Sequence, residues 1–410
     1  YVSSKSKNNI TGYFMQIGID DFDEINGRFG LKCGDEILKQ FSMCMQSCIN
    51  ENQKIYELGN GRFIIMDLAN HSKEDILELY DELKKSVEVA LEENVYRVVY
   101  TISVGIVEID KEMKDYDTLI KYSDFALNEA KKKGKNSCYF FTQDKYKQFI
   151  RRREIRVELQ NAVDHNFKNF DVYYQPIIDI HTRNLIGAEA LMRFKMKRNE
   201  QIEFISPAEF IPILEESGLI IPAGRWILRQ AVACCKKWQE FIPEFKVNVN
   251  LSYVQIIKSK ILDEIKHALK AFNLKPALLG IEVTESGYLE NTYHYKKLWS
   301  SLKEEGITLI LDDYGTGYSN AYRLSDLTPH YIKIDRVLTQ KALSSNYERS
   351  ILIYIIEMAH SLKLNVCIEG VETEEELQEI KKLNPDYIQG YLFGKPAPED
   401  EFYNRQIKKK

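Results

Sequence analysis

Apolar positions along the chain change period in a regular order. Residues 13–22, apolar for most of their length, read as a strand, and 31–50 carry apolar residues at helical spacing. Two short strands, 54–58 and 62–68, flank Leu58-Gly59-Asn60-Gly61-Arg62, where Asn-Gly marks a tight hairpin. Helical spacing returns over 73–92, followed by a strand over 97–109, a helix over 115–133 and a short strand over 138–141. The order β-α-β-β-α-β-α-β predicts an α/β palm-like sandwich for residues 1–143. Residues 144–165 are charged, keep apolar residues at helical spacing and contain no Pro or Gly. They read as one stiff helix leading into a second domain, 166–410.

In that second domain strand-like runs recur at 171–180, 185–194, 245–252, 278–285, 307–313, 330–335, 364–370 and 387–393. Helical patterns fill the gaps from the second run onward, as in Pro207 to Ser217, Pro222 to Glu240, Tyr253 to Phe272, Tyr293 to Glu305 and Tyr347 to Leu362. Eight strands alternating with helices predict an α/β fold of the TIM-type (β/α)8 kind. The first connection, His181-Thr182-Arg183-Asn184, is too short for a helical crossover, so the first strand is expected to run antiparallel to the second.

Composition narrows the setting. The chain has 410 residues, 44% of them hydrophobic, enough for two or three domains with sizeable cores. A formal charge of −5 argues against binding a nucleic acid polymer, and the runs Lys131-Lys132-Lys133, Arg151-Arg152-Arg153 and Lys408-Lys409-Lys410 are short enough to be solvated faces or tails. Seven scattered cysteines lack metal spacing and fit small buried hydrophobes in a reducing cytoplasm. No apolar run reaches membrane-spanning length; because the first residue is Tyr1, the chain reads as the cytoplasmic part of a larger protein, with room for an upstream sensor or anchor.

Chemistry concentrates where the strands of the second domain end. Those ends carry Glu189 and Arg193, Asn250, Glu282, Asp312-Asp313, Lys333, Glu369 and Gln389 in turn. Barrel active sites sit at the C-terminal ends of the strands. The adjacent Asp312 and Asp313 can share one site only if the backbone turns there, because successive strand side chains face opposite ways. Oxygen ligands without His or Cys select hard ions, Mg²⁺ or Mn²⁺. The carboxylates exceed the needs of one ion, and two ions about 3.5–4 Å apart are common in phosphodiester hydrolysis.

These motifs, with Tyr174-Gln175-Pro176-Ile177, Glu189-Ala190-Leu191, Glu282-Val283-Thr284-Glu285, Asp312-Asp313-Tyr314-Gly315-Thr316-Gly317, Lys333-Ile334-Asp335 and Glu369-Gly370-Val371-Glu372, resemble an EAL-domain cyclic di-GMP phosphodiesterase over about residues 155–405. The resemblance implies metal-dependent opening of cyclic di-GMP, a bacterial second messenger, to linear pGpG, with a homodimer as the expected assembly. It implies that Glu189, Asn250, Glu282 and Asp312 hold one metal, and that Asp313 and Glu369 serve a second metal or the bridging water. Lys333 is then the catalytic lysine, and Gln389 orients the water. Gln175, Leu191 and Arg193 contact the dinucleotide, Glu285 anchors the loop after the fifth strand, and Glu372 is a further acidic site residue. A catalytically silent cyclic di-GMP receptor is the alternative.

Residues 10–142 resemble the GGDEF, or diguanylate cyclase, domain through Phe22 to Asn26, Gly34-Asp35, the hairpin at Gly59, Ser103-Val104-Gly105 and Lys131 through Asn136. Its acidic signature is replaced by Gly59-Asn60-Gly61-Arg62-Phe63, its metal aspartate on the first strand aligns with Gly18, and its product-site residues align with Asn50 and Gln53. The resemblance therefore implies a degenerate, catalytically dead regulatory domain. It keeps Asn26 and Asp35 as candidate guanine readers and Lys131 and Lys135 as candidate phosphate contacts for GTP.

Overall fold

The computed structural model describes residues 12–69, 71–92, 98–109, 115–198, 200–284, 292–315, 324 and 328–408. The chain divides into two compact units, Tyr1–Arg151 and Arg152–Lys410, and the division falls inside a helix that runs Gln143–Asp164.

The first unit is built on strands β1 (Gly12–Ile19), β2 (Gln53–Gly59), β3 (Arg62–Asp67), β4 (Ile102–Ile109) and β5 (Cys138–Phe140), in the order β2-β3-β1-β4-β5. β1 runs antiparallel to both β3 and β4, while β4 and β5 are parallel. All of β1 beyond Gly12 is buried. Tyr13, Met15, Ile17 and Ile19 enter one apolar cluster, and Phe14 enters another on the opposite face. Helices covering both faces explain why this strand reads as a continuous apolar run rather than an alternating one.

The strand stops three residues earlier than its apolar run predicts, and Phe22–Phe29 forms a helix instead. Asp20 is the cause. Its buried carboxylate accepts hydrogen bonds from Thr101 Oγ1 (2.7 Å), Ser103 Oγ (2.8 Å) and the Asn136 backbone N–H (3.1 Å). Asp21 then turns the chain at φ 55°. In the β2–β3 hairpin Asn60 (φ 51°) and Gly61 (φ 70°) both take the left-handed backbone that a type I′ turn demands.

The second unit contains β6 (Phe170–Asp179), β7 (Leu185–Arg198), β8 (Gln201–Ile205), β9 (Lys246–Asn250), β10 (Leu279–Thr284), β11 (Thr308–Tyr314), β12 (Tyr331–Ile334), β13 (Asn365–Glu369), β14 (Tyr387–Gln389) and β15 (Ala397–Pro398). The sheet order β6-β14-β13-β12-β11-β10-β9-β7 closes through a β6–β7 pairing into an eight-stranded barrel. β6 is antiparallel to both β7 and β14, and the other ring pairings are parallel, as the short first connection predicts.

The eighth strand ends at Gln389, short of the expected 393, and two larger features differ from the sequence reading. β7 continues to Arg198 and pairs with β8 in a hairpin outside the ring, built from alternating residues such as Phe194-Lys195-Met196-Lys197. The expected helix from Tyr253 to Phe272 breaks at Ser259-Lys260 into Tyr253–Lys258 and Ile261–Phe272. All seven cysteines are free, and Cys33, Cys44, Cys234, Cys235 and Cys367 are buried.

Outside the ring, the helix Ile220–Trp238 ends on a fully buried indole. Trp238 stacks on Phe402 with centroids 4.8 Å apart and meets Tyr174 and Phe245 edge-on at 4.8 Å and 5.3 Å. Replacing it leaves a large hole that this aromatic group cannot close. Trp238→Ala is expected to lower unfolding free energy by about 3–5 kcal/mol in denaturant titration, and a loss below about 1 kcal/mol would contradict this packing.

Candidate active site

Strand register brings the predicted residues to one end of the barrel. Gln175 pairs with Glu189 across β6–β7, Asn250 with Glu282 across β9–β10, and Glu369 with Gln389 across β13–β14. Lys333, near the end of β12, is 1% exposed. Its Nζ lies 2.7 Å from Glu369, 2.9 Å from Glu189, 3.0 Å from Glu282 and 3.3 Å from Asp312. Amides complete the group. Gln389 Nε2 donates to Glu189 Oε2 (2.8 Å) and Gln175 Oε1 (3.1 Å), and Asn250 Nδ2 donates to Glu189 Oε1 (2.7 Å).

Four carboxylates around one ammonium leave an excess of negative charge in a buried place. Burial works against the charge on Lys333, but Asp312, Glu189, Glu282 and Glu369 hold its proton affinity well above the usual lysine range. Burial, reinforced by Glu189, pushes Glu282 well above the usual carboxylate range. Burial likewise raises Asp312, opposed by Lys333, and raises Glu369 to about 8. Glu189 moves the other way. Burial would raise it, but the Lys333 charge and hydrogen bonds from Gln389, Lys333 and Asn250 outweigh that and lower it.

Asp313 has φ 56°, at a register shift between Leu311 and Tyr314 where β11 pairs with β12. This is the backbone turn that an adjacent carboxylate pair needs, and the Asp313 N–H donates to Asp312 Oδ1 (2.9 Å). Burial, then the Asp312 charge, raises Asp313 to about 6.

The donor chemistry fits a hard divalent ion. Glu189, Glu282 and Asp312 each offer a carboxylate oxygen, all within 4.8 Å of one another. Gln389 Oε1 is buried without a hydrogen-bond donor, so the site holds an acceptor that the protein itself does not satisfy. Leu191 and Arg193 line a neighbouring cavity of about 660 Å³ with Asn250, Ser252 and Glu215. Arg193 Nη1 donates to the Met192 carbonyl (2.9 Å), and its guanidinium lies 5.5 Å from the Tyr173 ring centroid.

Glu372 pairs with Arg336 at 2.7 Å rather than with Lys333. Glu285 and the loop residues Thr316 to Ser319 lie outside the described residues. The sequence reading passed over Glu215, which accepts from Ser252 Oγ (2.6 Å), and Asn248, which donates to Glu282 Oε1 (2.8 Å). Asn248 was findable: Val247-Asn248-Val249-Asn250 alternates, so both amides share a face.

In the first unit a cavity of about 660 Å³ is lined by Asp21, Asn60, Arg62, Asp124 and Lys131 among others. A Cβ built on Gly18 would lie 3.2 Å from Lys131 Nζ, so an amine rests against the bare backbone there. Arg62 faces Asp124 at 3.5 Å, and Lys135 holds Asp21 at 2.7 Å. Asn26 Oδ1 is buried against Gly34 without a donor, and Asp35 is exposed.

Residues 156–396 match the family model described as the EAL domain. The chain belongs to the EAL family. In this EAL protein residues 2–137 match the model described as diguanylate cyclase, GGDEF domain, so the two domains stand in tandem. The chain is 31% identical over 399 residues to the signaling protein YkoW of Bacillus subtilis, covering 96% of this chain and 48% of that protein. It is 28% identical over 406 residues to the cyclic di-GMP phosphodiesterase PdeR of Escherichia coli, covering 98% and 60%. The chain thus spans about half the length of the first of these relatives and somewhat more of the second. Among solved structures, the PaMucR phosphodiesterase in complex with c-di-GMP is similar at a TM-score of 0.57 and 29% identity, over 61% of this chain and 99% of that one.

The raised carboxylates set a pH dependence. Below about 8 for Glu369 and about 6 for Asp313 these groups hold protons that an entering ion must displace. Mn²⁺ affinity is therefore expected to rise steadily from pH 6 to pH 8, with proton release on binding at pH 7. Calorimetry in buffers of different ionisation enthalpy measures both, and a pH-independent affinity without proton release contradicts the charge balance described.

Proposed function

We propose that the EAL unit hydrolyses cyclic di-GMP to linear pGpG with two Mg²⁺ or Mn²⁺ ions, and that the GGDEF unit is a catalytically silent regulatory module that binds GTP. The observation that carries the hydrolase reading is the acidic group around Lys333 at one mouth of a closed barrel, where Glu189, Glu282 and Asp312 offer oxygens within 4.8 Å of one another. A relative named for cyclic di-GMP phosphodiesterase activity and a similar structure solved with c-di-GMP support the substrate.

Opening one phosphodiester requires a water at phosphorus, in line with the departing 3′ oxygen. One P–O bond forms as the other breaks, and the product carries a 5′ phosphate and a free 3′ hydroxyl. Bound divalent ions supply the charge that activates the water and offsets the negative charge developing on the phosphate. Glu189, Asn250, Glu282 and Asp312 would hold one ion, and Asp313 and Glu369 would serve the second. Lys333, at the centre of these carboxylates, is placed to donate a hydrogen bond to the water or the departing oxygen. Gln389, fixed through Gln175 and Glu189, orients the water. Leu191 and Arg193 hold the dinucleotide along the adjoining cavity.

The silent reading of the GGDEF unit rests on Gly18 and on Gly59 to Phe63, which offer no carboxylate where the family's signature has them. Asn26 and Asp35 are its guanine-reading residues, and Lys131 and Lys135 its phosphate contacts. A cytoplasmic homodimer belongs to the same reading.

Purified protein with Mn²⁺ is expected to convert cyclic di-GMP to pGpG, read by chromatography. Glu189→Ala abolishes turnover, and Lys333→Ala lowers kcat by about 10²-fold or more with little change in KM. Binding of cyclic di-GMP without pGpG formation would establish the silent receptor instead. In calorimetry the full chain is expected to bind GTP without turning it over. Absence of heat at millimolar GTP removes the ligand, and cyclic di-GMP synthesis removes the silent assignment.

A further inference from the structure

Two positions back from the acidic ring, each strand contributes to a second inward-facing layer. Gly187, Asn248, Gly280, Ile310, Tyr331 and Cys367 belong to it. Ile310, Tyr331 and Cys367 form one buried apolar cluster with Ile177. Asn248 is the polar exception, and it is 2% exposed.

Its Nδ2 donates 2.8 Å to Glu282 Oε1 and also donates to the Tyr331 hydroxyl. The other oxygen of Glu282 accepts from Lys333 at 3.0 Å. Glu282 itself is fully buried, so its orientation is set by these two donors. Gly280 makes the arrangement fit. A Cβ built there would lie 2.2 Å from Asn248 Oδ1 and 2.9 Å from its Cγ. Ile310 Cδ1 lies 2.8 Å from the same point, at the free end of a flexible side chain. No positive φ marks Gly280, so it is these neighbours, the carboxamide nearest of all, that favour glycine rather than the backbone.

We propose that Asn248, braced by Tyr331 and given room by Gly280, is the positioning residue that holds Glu282 in the geometry of a metal ligand. The inference rests on the reading of the acidic ring as a divalent-ion site. A neutral N–H donor suits the task. It fixes one carboxylate oxygen without adding a cation that competes with the ion, as Lys333 does from the other side. Partners of this kind commonly govern metal affinity although they never touch the metal.

Calorimetric titration of Mn²⁺ into the full chain tests it. Asn248→Ala is expected to weaken Mn²⁺ binding by about 10-fold or more. Gly280→Ala, which leaves Asn248 in place but displaces its carboxamide, gives a comparable loss, and the double variant is no weaker than Asn248→Ala alone. Tyr331→Phe, which removes only the brace, gives a smaller loss in the same direction. At saturating Mn²⁺, kcat for cyclic di-GMP falls while KM stays near its wild-type value, because Asn248 lies beneath the substrate cavity and not among its lining residues. Should Asn248→Ala fail to fold, Gly280→Ala and Tyr331→Phe carry the same test. Lower melting temperatures with Mn²⁺ affinity within about twofold of wild type in these variants would show a purely structural role and overturn the inference. A wild-type chain that takes up no Mn²⁺ overturns the ion-site reading itself, and this inference with it.

Discussion

The second unit is organised around one buried ammonium. Lys333 touches four carboxylates inside a closed barrel, where an ion without a partner would be severely destabilising. Removing that charge would leave Glu189, Glu282, Asp312 and Glu369 to repel one another in a low-dielectric place. With it in place, there are still more carboxyl groups than one ammonium can balance, and burial keeps protons on some of them. The same lysine therefore makes the acidic ring tolerable in the free protein and leaves it protons that a divalent cation would displace.

Everything that positions this group is ordinary barrel geometry. Parallel strands in register deliver one inward residue each at the same height, and the reversed β6 closes the ring so that Gln175 meets Glu189. Amides occupy the places next to the acids. Gln389, Asn250 and Asn248 each donate to a carboxylate without adding charge, so orientation and charge balance are set by different side chains. The left-handed Asp313 is the one irregularity in β11, and it puts two neighbouring aspartates at the same strand end.

Most of the barrel and its mouth was legible in the sequence, because parallel strands buried on both faces are apolar runs that end abruptly in polar residues. The short link after β6 even carried the direction of the first strand. What escaped had physical reasons. The helix Phe22–Phe29 escapes the pattern because Asp20-Asp21 reads as part of the strand, whereas the buried, hydrogen-bonded Asp20 ends β1. The β7–β8 hairpin lies outside the ring, so the eight-strand pattern did not call for it. Asn248 and Tyr331 belong to no signature and matter only through what they touch. Glu372, expected as a further acidic residue of the site, pairs with Arg336 on the helix Arg336–Ser344 that follows β12.

The two units distribute charge differently. The EAL unit gathers carboxylates round one amine, whereas the GGDEF unit sets Lys131 beside Gly18 and Arg62 on its hairpin. The central claim is that the ring around Lys333 is a divalent-ion site. Anomalous scattering from crystals of the protein grown with Mn²⁺ tests it most directly. The account predicts a Mn²⁺ peak about 2 Å from carboxylate oxygens of Glu189, Glu282 and Asp312, with Lys333 Nζ moved away from their midst. A map with no peak there, and Lys333 still bridging the four carboxylates, would contradict it.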